Sequence, residues 1–575
     1  MISEDEKHTN PASSAQEEKF FTEDASSPQS LSSTVTKPKL PLGWRILVLV
    51  LTCLCSFGNH WSNGLIVALK TTIIAVTKIN NSKFATLVAV TNLVNTFLCV
   101  GFGFSIDKWG GPLLSAILAS FHLGGSIIMA GAATNHLNSY PLLILGKVIA
   151  AIGDGSLDNA QHRIFSTYFA RGRGFAFSIG AIWGVANLAQ FTGQSTANVI
   201  AKNTGTFAWA LWISAAIALF SVLCGIAVVF LDRWLRDRYD ITDQTDGQLL
   251  KTHTRRGVFS IKAIKHLPLT FWVVVFFAIF ENAGVQSFVS ISTQFAQQRL
   301  KKGAVIGGWV SSFYLLLPAC LTPFLGIFID ASGHRVSFLF ISGLTFLISM
   351  LFLKFSHTVP TFVTAYVFYA LSQSVTPAPQ VEIVRSVIAD PQWFATAFAI
   401  KKSVVQASIV IITTAAGKLQ DDTPNNSLDN AVTLWLAYAF MSVVISGALL
   451  VSASFPSAAW CLPAARLAQV APRKLPQEVA RLMAWKELLL RDPTGVGVQW
   501  VKNMNPGGEK LLLDDVEVKK GEKLLKMSII GQGYKSMQWL YIATSVGVIL
   551  VGWIMFGLGV GWGVHGSVIA GTTGE

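Results

Sequence analysis

The sequence predicts an all-α polytopic membrane protein, and three observations carry that reading. Hydrophobic residues make up 52% of the 575 and charged residues only 13%, with a mean hydropathy of +0.51; a soluble domain typically carries about 25% charged residues. Apolar runs of about 20 residues, the length that crosses a bilayer core as a helix, recur along the chain. The basic residues crowd the short segments between those runs. That is the positive-inside bias, rather than the nucleic-acid patch that a net charge of +13 would otherwise suggest.

The elements follow in order. Residues 1–43 are polar, acidic and Ser-rich, the composition of a disordered cytosolic tail with no cleavable signal. Six spans fill 44–231, near 44–66, 84–106, 112–133, 141–163, 174–197 and 207–231. The connection 232–268 is the long one and divides the spans six and six. Its Arg233, Arg236, Arg238, Lys251, Arg255, Arg256, Lys262 and Lys265 place it in the cytosol. Six more spans fill 269–454, near 269–291, 307–329, 336–355, 361–383, 395–417 and 432–454. Arg299, Lys301 and Lys302 run against the charge bias. A charged cytosolic extension occupies 455–536, followed by an apolar run at 537–560, read as a thirteenth span or an interfacial hairpin, and a short tail at 561–575. The six cysteines lie in or beside apolar runs without metal-type pairing and read as packing residues. No metal or cofactor is predicted. "NNS" sequons at Asn80 and Asn425 fall in loops that the charge bias places outside or in a lumen, so both are candidate glycosylation acceptors.

Between spans two and three stands "GFSIDKWGG", with Gly103, Asp107, Lys108 and Gly111; between spans eight and nine stands "GIFIDASGHR", with Gly326, Asp330 and Arg335. The Gly-to-Asp spacing matches, and the copies occupy equivalent places in the two halves. A repeat at half-chain period suggests two six-helix bundles related by an axis along the membrane normal. Glycine permits close helix approach, and an aspartate can accept from a neighbouring helix N-terminus, so these read as gating elements that touch no substrate.

This paired motif resembles the cytoplasmic loop motif of the major facilitator superfamily, which implies the major facilitator fold. "LGKVIAAIGDGSLDNAQHRIFSTYFARGRGFAFSIG", "LLLPACLTPFLGIFIDASGHR" and "ATAFAIKKSVVQASIVIITTAAGKLQD" are similar to the fourth-to-fifth, eighth and eleventh helix segments of the lysosomal dipeptide transporter family within it. The resemblance covers roughly residues 44–454. It implies export of protein-breakdown products from a lysosome or vacuole to the cytosol by uniport, with an accessory membrane glycoprotein or a homodimer as partner; the plasma membrane is the alternative location to a lysosome or vacuole. "QEEKFF" in the tail has the look of an endosomal sorting signal. Two departures stand out: relatives carry a glutamate where this chain has Gly155, with Asp154 one place earlier, and an arginine near Val185.

Charges at mid-bilayer cost about 2.5–3.5 kcal/mol on insertion scales, so they face cavities or partners and mark candidate sites. On span four, Lys147, Asp154, Asp158 and Gln161 follow spacings of seven, four and three on one helix face. Asp154 binds a cargo amine, carries a coupling proton, or is bonded to neighbouring helices. Asp158 lies about 6 Å further toward the cytosol. Glu281 lies halfway along span seven, a second candidate and a replacement for the glutamate missing at 155. Of Lys401 and Lys402 on span eleven, adjacent residues about 100° apart, one is expected to point into the cavity. Asn59 and Asn63 on span one and Gln190 on span five complete the substrate-binding candidates, and His60 is a candidate proton sensor. Pro377 and Pro379 in "SVTPAPQ" are expected to break span ten.

No Walker A loop, G-x-S-x-G elbow or H-E-x-x-H helix is present, so an ATP-driven pump or an enzyme is not expected. The leading reading is a secondary-active or facilitative transporter working by alternating access on dipeptides or amino-acid-like zwitterions. The alternatives are a proton-coupled organic anion (monocarboxylate) transporter and, from another class, a non-transporting membrane sensor whose extension recruits partners.

Overall fold

The computed structural model describes residues 38–169, 174–241, 264, 267–301, 303–355, 358–388, 394–455, 461–491, 517–521 and 533–565. Most of the predicted tail, with its "QEEKFF", most of the central connection and much of the extension lie outside the described residues.

Twelve helices among the described residues are long and apolar enough to cross a membrane. Span ten comes in addition, as two shorter helices, Val359–Val375 and Pro377–Val387, that meet at Thr376. The break falls where the sequence places Pro377: proline has no N–H to donate and its ring clashes with the preceding turn. Span one is also interrupted, as Leu42–Leu54 and Phe57–Ala68, and span eight runs Ala304–Ser312, a 3-10 turn Phe313–Leu315, then Leu316–Ser332.

The remaining spans are Asn81–Trp109, Gly111–Ala132, Tyr140–Tyr168, Phe175–Thr204 and Ala208–Arg238 in the first bundle, and Leu269–Leu300, Arg335–Phe355, Phe394–Asp422 and Asp429–Ser454 in the second. Two expected boundaries move. Span six continues to Arg238, carrying Arg233, Arg236 and Arg238 on its last turns. The tail is built from residue 38, where Asp240 N–H donates to the Pro38 carbonyl at 3.0 Å and Leu40 is buried.

The bundles meet at both ends. At the end that the charge bias places outside or in a lumen, the Asp421 carboxylate accepts from the N–H groups of Asn81 at 3.2 Å and Ser82 at 2.9 Å, at the start of span two, where four helix N–H groups lack intrahelical partners. Lys70 donates to Gln420 at 3.1 Å beside it. At the end that the charge bias places in the cytosol, Asp330 accepts from the N–H groups of Ala176 at 3.4 Å and Phe177 at 3.1 Å at the start of span five. Gly326 permits this approach: a Cβ there would lie 2.5 Å from the Ala176 carbonyl oxygen. The second copy of the gating motif thus ties one bundle to the other. The side chain of Asp107, in the first copy, lies outside the described residues; Lys108 is exposed and lies over the Trp109 ring at 5.5 Å.

The extension packs against the cytosolic end of the second bundle. Gln469 caps span nine, its side-chain oxygen accepting from Val336 N–H at 3.0 Å and Ser337 N–H at 3.2 Å. Arg335 is buried, donating to the Ala468 carbonyl at 3.0 Å and pairing with Glu382 at 3.4 Å. The last of those twelve helices, Gly533–His565, is the thirteenth span once span ten is counted, and it closes the described chain. It lies in the seam between span two of one bundle and span eleven of the other, where Trp553 donates to Thr96 at 3.1 Å and a Cβ on Gly552 would lie 3.0 Å from the Ala407 carbonyl oxygen.

Candidate functional site

A cavity of about 240 Å³ lies between the bundles, lined from spans one, two, four, five, seven, ten and eleven. The bundles are joined on either side of it by the Asp421 and Asp330 contacts.

The first bundle supplies a relay of polar side chains. Lys147 donates to Asn63 at 3.0 Å, Asn63 donates to Asn59 at 3.2 Å, and Asn59 donates to the Asp154 carboxylate. Lys147, Asn63, Asp154 and Gln190 line the cavity, whereas Asn59 is buried behind them as the link that reaches Asp154. The lysine and the carboxylate, seven residues apart on one helix, are therefore coupled through amides of span one. His60 lines the cavity as well.

Gly155 is packed tightly against span two. Asn95 of span two occupies the space a side chain would need: a Cβ at 155 would lie 2.0 Å from the Asn95 side-chain carbon. A neutral amide fills that space.

The second bundle contributes Lys401 and Lys402, both of which line the cavity. The expectation that only one would do so is corrected, because long flexible side chains on neighbouring residues bend toward the same space. Their environments differ. Lys402 is paired with Asp158 across the bundle interface at 2.8 Å. Lys401 donates to the side-chain oxygen of Gln380, a neutral group.

Glu281 is a correction. It does not reach the cavity but is fully buried inside the second bundle. Its carboxylate accepts from Ser342 at 2.7 Å, Thr376 at 2.6 Å and Ser372 at 3.3 Å. It therefore replaces nothing at position 155. Gln380, for which the sequence offers no signal, lies between Glu281 and Lys401, and Asn282 beside Glu281 is one of the span-seven residues that line the cavity. Toward the cytosol, His162 meets Phe398 edge-on with ring centroids 4.8 Å apart, and neither of its ring nitrogens has a hydrogen-bond partner.

Asn80 is also corrected as a glycosylation acceptor: it is buried, and its amide donates to the Gly563 carbonyl at 3.3 Å. Asn425 is exposed in a 3-10 turn. Among the described residues no cluster of His, Cys, Asp and Glu could hold a metal ion.

No known family model matches the sequence. The chain is 24% identical over 413 residues to the lysosomal dipeptide transporter MFSD1 of Danio rerio, covering 70% of this chain and 86% of that protein. It is 22% identical over 419 residues to the protein of the same name from Homo sapiens, covering 70% and 86%. The structure superposes on the proton:xylose symporter XylE bound to 6-bromo-6-deoxy-D-glucose with a TM-score of 0.57 at 12% identity, covering 71% of this chain and 94% of that one. A partially occluded inward-open form of XylE from E. coli gives 0.53 at 14% identity, covering 71% and 99%. These likenesses establish the fold, and the curated relatives are transporters rather than enzymes. The chain is a multi-pass membrane transporter with the major facilitator fold and a further C-terminal helix, and it resembles the lysosomal dipeptide transporters.

Proposed function

We propose that the chain moves small zwitterions, dipeptides or amino-acid-like solutes, from a lysosome or vacuole to the cytosol by alternating access. The observation that carries this reading is the placement of Asp154 on one bundle and Lys401 on the other around a single cavity. A cargo with an amino group at one end and a carboxylate at the other bridges the two bundles, so its binding favours the occluded state over either open one. The volume of about 240 Å³ is below the roughly 300–1,000 Å³ of sites for drug-sized ligands, which suits a cargo of one or two residues. The names of the curated relatives support the dipeptide and the organelle.

The test is purified protein in liposomes, offered labelled dipeptides, amino acids and monocarboxylates with and without a pH step. Saturable uptake of dipeptides or amino acids that needs no proton gradient is the expected result. Uptake of monocarboxylates alone, driven by the gradient, would replace this reading with a proton-coupled anion transporter.

A further inference from the structure

Glu281 is a fully buried carboxylate that touches no cargo space, and its surroundings assign it a different task. Three hydroxyls serve one of its oxygens, and the other faces the Gln380 amide nitrogen at 3.5 Å. On the far side of that amide stands the Lys401 ammonium, with Asn282 also donating to the Gln380 side-chain oxygen at 3.3 Å. A carboxylate only accepts and an ammonium only donates. An amide held between them has one allowed orientation, with its NH2 toward Glu281 and its oxygen toward Lys401. Lysine has three N–H donors, so one is used to fix its direction and two remain for the cavity it lines.

One face of span ten carries this arrangement across the junction of its two helices. Thr376, at the junction of its two helices, and Gln380, one turn into the second, both address the same carboxylate. Residues four apart share a helix face, so Ser372, Thr376 and Gln380 present two hydroxyls and an amide to Glu281 in one stripe.

We propose that Glu281 and Gln380 are positioning residues that aim Lys401 at the carboxylate end of the cargo. The proposal rests on the zwitterion reading above. A purely structural Glu281, bracing the broken helix, would affect every cargo equally, whereas a positioning residue affects only cargoes that carry the carboxylate.

The experiment compares a labelled dipeptide with its C-terminal amide in proteoliposomes holding the full chain, wild type or with Glu281→Gln, Gln380→Leu or Lys401→Ala. Wild type should favour the free acid, and Lys401→Ala should abolish that preference. Glu281→Gln and Gln380→Leu should each raise the half-saturation concentration for the free acid about tenfold, the scale of one charge-assisted hydrogen bond, and leave that for the amide unchanged. Gln380→Asn, polar but one methylene short, should do the same and serves where Glu281→Gln fails to reach the membrane. Equal losses for both cargoes, with Lys401→Ala still abolishing the preference, would overturn the positioning role and leave the zwitterion reading standing. Indifference of wild type and Lys401→Ala alike to the carboxylate would overturn both.

Discussion

Asp158 and Lys402 form an ion pair across the two bundles at 2.8 Å, and one helical turn closer to the cytosol His162 and Phe398 repeat the contact. Spans four and eleven run antiparallel, so residues four apart on each make successive rungs of one ladder. Both rungs have to part when the cytosolic side opens.

The pair is mostly enclosed, with side chains 19% and 14% exposed. Removing one member leaves the other charge buried without its partner. Asp158→Asn and Lys402→Ala should each destabilise the protein by about 3 kcal/mol. The exchanged double variant, Asp158→Lys with Lys402→Asp, should recover at least half of the loss in a thermal melt of purified protein. Single variants as stable as wild type would show that the rung contributes nothing to closure.

Asp154 is held by Asn59 but still faces the cavity. Asp154→Asn keeps the shape and removes the charge that a cargo amine would meet. Half-saturation for a zwitterion should rise tenfold or more, the scale of one charge-assisted hydrogen bond, in uptake and exchange alike. Loss of accumulation with exchange retained would instead identify Asp154 as a proton carrier.

The two sequons should behave differently. Asn425→Gln should remove a glycan and shift the protein on a gel, because that residue is exposed in a loop turn. Asn80→Gln should leave mobility unchanged, because the amide is packed beneath Gly563. A shift on changing Asn80 would mean that the C-terminal helix does not cover it during glycosylation.

Much of the fold could be read in the chain because hydropathy and motif spacing are properties of one dimension. The half-repeat led to Asp330 meeting a helix N-terminus, and Pro377 to the break in span ten. The site was less legible. A carboxylate within "FFAIFENAG" announces that partners exist, but Ser342, Ser372 and Thr376 lie 61, 91 and 95 residues further on, and only folding brings them to Glu281. Gln380 gives no signal of its own, since its partners Glu281 and Lys401 lie 99 and 21 residues away along the chain. Asn80 read as an open loop because the helix that covers it lies 483 residues downstream.

Lys70 predicts a pH dependence of the lumenal closure. It lies just beyond span one, facing Gln420 and Asp421 of span eleven and the ring of Phe84 at 5.5 Å. Burial pushes its ammonium down to about 7, with Asp421 acting in the opposite direction. Opened to water it regains the ordinary lysine value of roughly 10.4. Between these values the open state binds the proton and the closed state does not, so acid favours opening. Lumenal accessibility of the cavity to a thiol reagent, read at an engineered cysteine, should rise as pH falls from about 10 to about 7 and level off below. Lys70→Met should flatten the curve, and a midpoint shared by both proteins would assign the effect elsewhere.

The thirteenth helix yields the last prediction. It contacts span two through Trp553 on Thr96 and on the Phe97 ring at 4.6 Å, and its end receives the Asn80 amide. It contacts the other bundle through Gly552 on Ala407, Gly559 on Thr414, and Tyr541 on Phe276 with centroids 5.6 Å apart. A helix fixed to both sides of a seam resists the relative motion of those sides, and this one ends beside Asn81 and Ser82, where Asp421 holds the lumenal closure. Ending the chain at residue 532 should therefore increase lumenal accessibility of the cavity and speed exchange while lowering thermal stability. Gly552→Leu tests the same point with the helix present: a Cβ there already meets the Ala407 backbone, so the larger side chain should push the helix off span eleven and reproduce the truncation. Unchanged accessibility in both variants would show that the seam is held by spans two and eleven without it.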